Sequence, residues 1–148
     1  MAPSRYFRVC CPTIVTPEEI RQKARGTLIE QLGIEWEYAR YGETRAYLTV
    51  TPTHLAPNGY LHAATVVALA DSACGFGCLV SLPEGARSFT TIELKSNFLG
   101  AATSGKISCT ATMAHGGRTT QIWDAVVSNE QNRNIALFRC TQILLDLK

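Results

Sequence analysis

Residues 61–83 read LHAATVVALADSACGFGCLVSLP, an apolar run with a single acid, Asp71, near its centre. The nearest other formally charged residues are Arg45 upstream and Glu84 downstream. A run of this length suits either a bilayer-spanning helix or the buried helix of a globular protein. Asp71 would cost roughly 2.5–3.5 kcal/mol at the centre of a bilayer. No basic cluster flanks the run, and amphipathic segments lie on both sides of it. The stretch therefore predicts a helix buried inside a globular protein and ending before Pro83, with no membrane partner. Because it is apolar almost all round, one sheet face does not cover it fully. A second copy related by a two-fold axis, the commonest oligomeric arrangement, would bury the remainder.

Upstream, TPEEIRQKARGTLIEQLG (16–33) starts with Thr16 as N-cap, Pro17 at the first helical position and two acids behind it. A helix is expected from Pro17 to Leu32, with Gly33 as its stop. IEWEYARYGETRAYLTVT (34–51) has two alternating stretches around Tyr-Gly-Glu, a hairpin signature. Downstream of PEGA (83–86) the pattern turns to strands. In TTIELKSNF (90–98), Ile92, Leu94, Ser96 and Phe98 share one face, and Glu93, Lys95 and Asn97 the other. KISCTATMA, QIWDAVVS and IALFRCTQILLDL follow, separated by the turns HGGRTT (115–120) and NEQNRN (129–134). The expected order is a helix, two strands, a buried helix and then three strands in a consecutive antiparallel meander. This is an α+β architecture, an antiparallel sheet wrapped around one long central helix.

The chain has 148 residues, enough for one domain with a sizeable core, and a formal net charge of +2. Its Lys and Arg residues are dispersed, which argues against a nucleic-acid partner. A nucleotide-bearing ligand such as coenzyme A needs only a few placed cations and is compatible with this balance. The six cysteines, Cys10, Cys11, Cys74, Cys78, Cys109 and Cys140, contain no CxxC. A chain this long folds without disulfide staples, so buried free thiols in the cytosol are expected and no metal site is assigned. The N-terminus lacks a secretory pattern.

The stretches HLAPNGYLHAATVVALADSACGFG (54–77) and IELKSNFLGAATSGKISCTATMAHGGRTTQIWDAVV (92–127) resemble the hotdog-fold acyl-CoA thioesterases of the PaaI-like group. The resemblance spans about Leu32 to Leu145 and is carried by the His62-to-Asp71 spacing and the later Gly-Arg turn. It implies a single hotdog domain over residues 1–148 with an N-terminal helical extension. Where the family has His-Gly-Gly, this chain has His62-Ala63-Ala64. Ala56 stands where many members place an asparagine, with Asn58 two residues later.

A carboxylate in apolar surroundings is costly unless it is hydrogen-bonded or meets substrate or water in a cavity. A purely structural role, bonded to a loop or a partner helix, is the alternative. The resemblance implies that Asp71 is the catalytic carboxylate, as general base on water or as nucleophile. It implies the backbone N–H of Ala63 as oxyanion donor, with His62 at the same helix start. Asn58 and Thr91 are implied to position substrate or water, and Gly117 and Arg118 to meet the coenzyme A phosphates. For each of these residues a purely structural role in a cap, turn or strand is the alternative. Ala63 and Asp71 are eight residues apart, about 12 Å along a helix axis. One continuous helix does not easily bring both to one carbonyl, which predicts active sites shared across a homodimer; the resemblance implies further pairing as a dimer of dimers. The expected reaction is hydrolysis of a small aryl- or short-to-medium-chain acyl-CoA to free acid and coenzyme A, without a separate cofactor. A non-catalytic acyl-CoA-binding module and a hydratase or dehydratase are the competing readings. No GxSxG elbow, P-loop or dinucleotide fingerprint occurs.

Overall fold

A computed structural model describes residues 15–145; Cys10 and Cys11, expected as free thiols, lie outside the described residues. The chain runs α1 (Pro17–Ala24), α2 (Leu28–Gln31), β1 (Glu35–Arg40), β2 (Glu43–Thr49), a 3-10 turn (Pro52–His54), α3 (Ala63–Val80), β3 (Ser88–Phe98), β4 (Lys106–Gly116), β5 (Thr120–Ser128) and β6 (Asn134–Leu145). The six strands form one antiparallel sheet in the order β1-β2-β4-β5-β6-β3, curled around α3. This is the hotdog arrangement that the sequence implies.

Two expectations about connectivity are corrected. The single helix over 17–32 is two short ones. Thr16 and Glu19 form a reciprocal capping box that starts α1, and Gly26, at φ +74°, turns the chain before α2. That backbone conformation suits glycine and ends the helical ladder. All four alternating segments after α3 are strands, one more than the three counted in the expected order, and they do not form a consecutive meander. β3 pairs with β6 at the far edge of the sheet, while β4 sits between β2 and β5. The physical reason lies in the connections. α3, about 27 Å long, carries the chain from β2 to the opposite edge. The segment 99–105 then returns across the start of α3, where Ala102 O accepts from Leu61 N and Gly105 O from Val50 N.

α3 passes the length and hydropathy test for a bilayer span, but its role is that of a core helix. Leu69, Ala70, Ala73, Cys74 and Cys78 are fully buried against Ala46, Leu48, Ile107, Cys109, Trp123 and Val127 of the sheet. Polar ties fix its register. Thr44 Oγ1 donates to Ala73 O at 2.8 Å, and Gln121 Nε2 donates to Ser81 O at 2.8 Å. Gln121 Oε1 in turn accepts from Trp123 Nε1 at 2.8 Å. The indole thus packs closely against Gly77, where a Cβ would stand 2.6 Å from two ring carbons.

The inward faces of β4 and β5 agree with the alternation in the sequence: Ile107, Cys109 and Ala111 are buried and Met113 packs at their margin. β3 departs from it. A bulge between Thr91 and Glu93 displaces Ile92, so Thr91 stands opposite Gln142, and Leu94 opposite Cys140. Leu94 and Phe98 share the face of buried Cys140 and Ala136, yet they are 44% and 49% exposed. Together with Ile92, Leu99 and Leu137 they leave an apolar margin uncovered along this edge.

Gly77→Ala weighs a helix-propensity gain of about 1 kcal/mol against overpacking of about 1–3 kcal/mol. The tethered Trp123 ring leaves little room to yield, so a net loss of stability is expected. Urea unfolding should show a lower midpoint at unchanged slope, and a higher midpoint would contradict this packing account.

Candidate active site

α3 begins at the loop of Pro57, Asn58 and Gly59. His62 is its N-cap, and the ring Nδ1 accepts from Ala64 N at 2.9 Å. In the neutral ring this places the remaining proton on Nε2. Ala63 is the first helical residue, and its N–H has no acceptor among the described residues. A free N–H at the positive end of an 18-residue helix is an anion-stabilising position. His62, Ala63 and Ala64 are all exposed. The alanine at position 63 keeps the donor that a glycine would offer and adds one methyl group.

Asp71 lies two turns further along, on a half-buried face of α3. It opens into a cavity of about 270 Å³ lined by Ile29, Ser72, Gly75, Phe76, Leu79 and Phe89. Among the described residues, Asp71 is the only ionisable group in this lining. Phe76 is held edge-on by Trp36, with ring centroids 4.8 Å apart, and Ile29 reaches in from α2. Gly75 permits the close approach of Phe89, because a Cβ there would lie 3.0 Å from Phe89 Cζ. A second depression, of about 230 Å³, lies between residues 101–104 and 129–131 with Tyr60 at its side. Its acid, Glu130, is already engaged by Lys106 N at 2.7 Å, so the depression lacks a free carboxylate.

Burial pushes the Asp71 carboxyl above its ordinary value, and a hydrogen bond from Thr91 opposes that rise. Thr91 Oγ1 stands 3.1 Å from Asp71 Oδ1 and 2.9 Å from Gln142 Oε1. Thr91 therefore touches the carboxylate itself, a more direct contact than the water-positioning role expected of it. Phe89 and Thr91 share a face of β3 opposite Leu144 and Gln142 of β6, and the bulge after Thr91 brings Leu94 onto that same face.

The other expected residues are dispersed. Asn58 is exposed and its Oδ1 accepts from Tyr60 N at 3.2 Å, closing a local turn. Gly117 and Arg118 form the exposed tip of the β4–β5 hairpin. The same hairpin carries Gln121, which binds the C-terminal end of α3. Within one chain the structure thus joins Thr91 to Asp71, sets Ala63 about 12 Å away along the helix, and leaves Arg118 on a separate hairpin. Gln142, Phe89 and Ile29 were not singled out by sequence reasoning. Gln142 carried a signal: it continues the inward series Ala136, Phe138 and Cys140 of β6, as a polar residue where an apolar one is expected.

Residues 58–136 match the family model of the thioesterase superfamily. The chain is 32% identical to 1,4-dihydroxy-2-naphthoyl-CoA hydrolase of Listeria monocytogenes, over 77% of this chain and 92% of that protein. A crystal structure of a thioesterase from Haemophilus influenzae superposes with TM-score 0.84 at 27% identity, covering 90% of this chain and 92% of that one. The PaaI protein from the phenylacetic acid degradation operon of E. coli shares the fold, with TM-score 0.77 at 24% identity over 85% of this chain and 89% of that one.

A carboxyl with a raised folded-state pKa favours the folded state below its unfolded value, and this contribution is lost as pH rises through the folded value. Asp71→Asn should therefore raise the thermal midpoint at neutral pH, by a margin that closes below about pH 4. A variant no more stable than wild type at pH 7 would contradict the desolvation of Asp71.

Proposed function

The chain belongs to the thioesterase superfamily and is a thioester hydrolase, and from that premise we propose that Asp71 drives hydrolysis of an acyl-CoA whose acyl group is apolar. The observation that carries this reading is the carboxylate of Asp71 in a cavity whose lining, among the described residues, is otherwise uncharged. The lining of Ile29, Phe76, Leu79 and Phe89 suits a small aryl or short-to-medium aliphatic acyl group.

As general base, Asp71 takes a proton from water while the water oxygen attacks the thioester carbon. The carbonyl oxygen becomes an oxyanion facing the Ala63 N–H. Collapse breaks the carbon–sulfur bond, and the proton held by Asp71 passes to the departing thiolate, giving free acid and coenzyme A. As nucleophile, Asp71 instead bonds to the acyl carbon and expels the thiolate, and water then cleaves the mixed anhydride. Single turnover in ¹⁸O-water tests the second route: label enters the Asp71 carboxylate when water attacks its carbon of the anhydride and the acyl group leaves as the free acid, whereas the general-base route puts the label in the product acid alone. In neither route does the reaction call for a cofactor beyond the coenzyme A of the substrate. His62 holds the helix start in shape, and Arg118 with Gly117 offers a cation and close backbone approach for the coenzyme A phosphates. Asn58, in the loop ahead of α3, is the candidate to position substrate or water. The four described free cysteines, all buried, accord with a cytosolic setting.

Asp71 and Ala63 of one chain cannot serve one carbonyl, so the working unit is a homodimer in which Asp71 of one copy faces Ala63 of the other. The uncovered margin of Ile92, Leu94, Phe98 and Leu99 supports an interface along β3, and a dimer of dimers extends it. The single domain with its helical extension is the repeating unit.

Asp71→Asn should lower kcat on a responsive acyl-CoA by about 10²–10⁴-fold, read as release of free thiol, and equal rates would remove Asp71 from the chemistry. Ala63→Pro replaces the N–H by a ring carbon at a first helical position that accepts proline, and should cost at least about 10²–10³-fold in kcat. Mixing the two inactive variants under conditions of subunit exchange should restore activity, because each mixed dimer regains one intact site. No recovery on mixing would argue against a shared site.

A further inference from the structure

Thr91 Oγ1 stands between two oxygens, Asp71 Oδ1 at 3.1 Å and Gln142 Oε1 at 2.9 Å. A hydroxyl has one proton to give, and an ionised carboxylate and an amide carbonyl both only accept. With Asp71 ionised, one of these two acceptors goes without the Thr91 proton. With Asp71 protonated, every group is served. The carboxyl donates to Thr91, Thr91 donates to Gln142 Oε1, and Gln142 Nε2 donates to Cys140 Sγ, 3.3 Å away.

Gln142 is fully buried and stands opposite Thr91 in the β3–β6 register, so its amide has few alternatives. We propose that Gln142 is a positioning residue of the hydrolytic centre: its carbonyl competes with Asp71 for the single proton of Thr91, and so favours the protonated carboxyl that forms when water is activated. This rests on the reading of Asp71 as the hydrolytic carboxylate. Gln142 touches neither substrate nor the reacting atoms and acts through Thr91.

The other groups around Asp71 leave this competition to decide its basicity. On α3 itself, Cys74 is held well above the ordinary thiol range, chiefly by a hydrogen bond with Cys140. Burial pushes Cys78 on α3 and Cys109 on β4 up to about 12. Cys140 on β6 lies behind Gln142. The cavity residues from α2 and β3, Ile29 and Phe89, do not ionise. Among the described residues, no charged side chain contributes to the shift of Asp71.

The chain has three aspartates, Asp71, Asp124 and Asp146, so ¹³C-carboxyl labelling of aspartate gives a spectrum simple enough to titrate. The Asp71 signal is the one lost in Asp71→Asn. In Gln142→Met the Thr91 proton is freed for Asp71, and the Asp71 midpoint should fall by about half to one pH unit. In Thr91→Val the donor is gone and the midpoint should rise. Adding Gln142→Met to Thr91→Val should then change nothing further. The acidic limb of kcat/KM should move with the titration in each variant. Gln142→Asn, which withdraws the carbonyl by one methylene, should act in the same direction should the methionine variant not fold. A midpoint unmoved or raised in the Gln142 variants, with Asp71→Asn inactive, overturns the role of Gln142 alone. Full turnover by Asp71→Asn overturns that role and the hydrolytic reading together.

Discussion

An 18-residue helix that is apolar on nearly every face has to be kept from water, and a single curved sheet can enclose only part of it. Much of the molecule answers to this constraint. The sheet supplies small inward residues, Ala46, Cys109, Ala111 and Ala125, so that α3 can sit close against it. Gly77 removes even a methyl group where Trp123 presses on the helix. What the sheet does not enclose is the side that carries Asp71, together with the inward face of β3 beside it. The incomplete enclosure is also what gives the carboxylate a cavity instead of a packed core.

The carboxylate is poised between two opposed effects. Desolvation favours its neutral form and the Thr91 hydroxyl favours its charged form. Neither effect requires a neighbouring cation, and the apolar lining leaves the balance undisturbed by salt or by surface charges. At the helix start the logic differs. In the proposed mechanism the backbone itself is the functional group there, so the identity of residue 63 would matter only through its bulk and its retained N–H. This separates the site into a side-chain half, sensitive to substitution, and a main-chain half that tolerates it.

The central helix was legible because its signal is local: a long apolar run with one charge admits few structures. The capped start at Thr16 and the hairpin around Gly42 were legible for the same reason. The break at Gly26 was hidden, because Leu28 and Leu32 continue the apolar spacing past it. The position of β3 was hidden too, since alternation marks a strand but not its partner. Pairing β3 with β6 depends on where a long helix delivers the chain. At the site, Asp71 stood out by composition and Thr91 through family resemblance alone. Their contact brings together β3 and α3, and the bulge at Ile92 hides from the alternation that Thr91 and Leu94 share a face. Gln142 was readable in principle, as an amide among Ala136, Phe138 and Cys140.

The turn at Gly26 has a wider consequence. By ending α1 early, it gives α2 its own direction, and α2 delivers Ile29 to the cavity beside Asp71. One wall of the proposed acyl chamber is therefore built by a short segment outside the sheet and α3. Exchanging that segment would resize the chamber while the chemistry stayed in place. The division of labour makes substrate range an adjustable property, carried by a few residues ahead of the first strand.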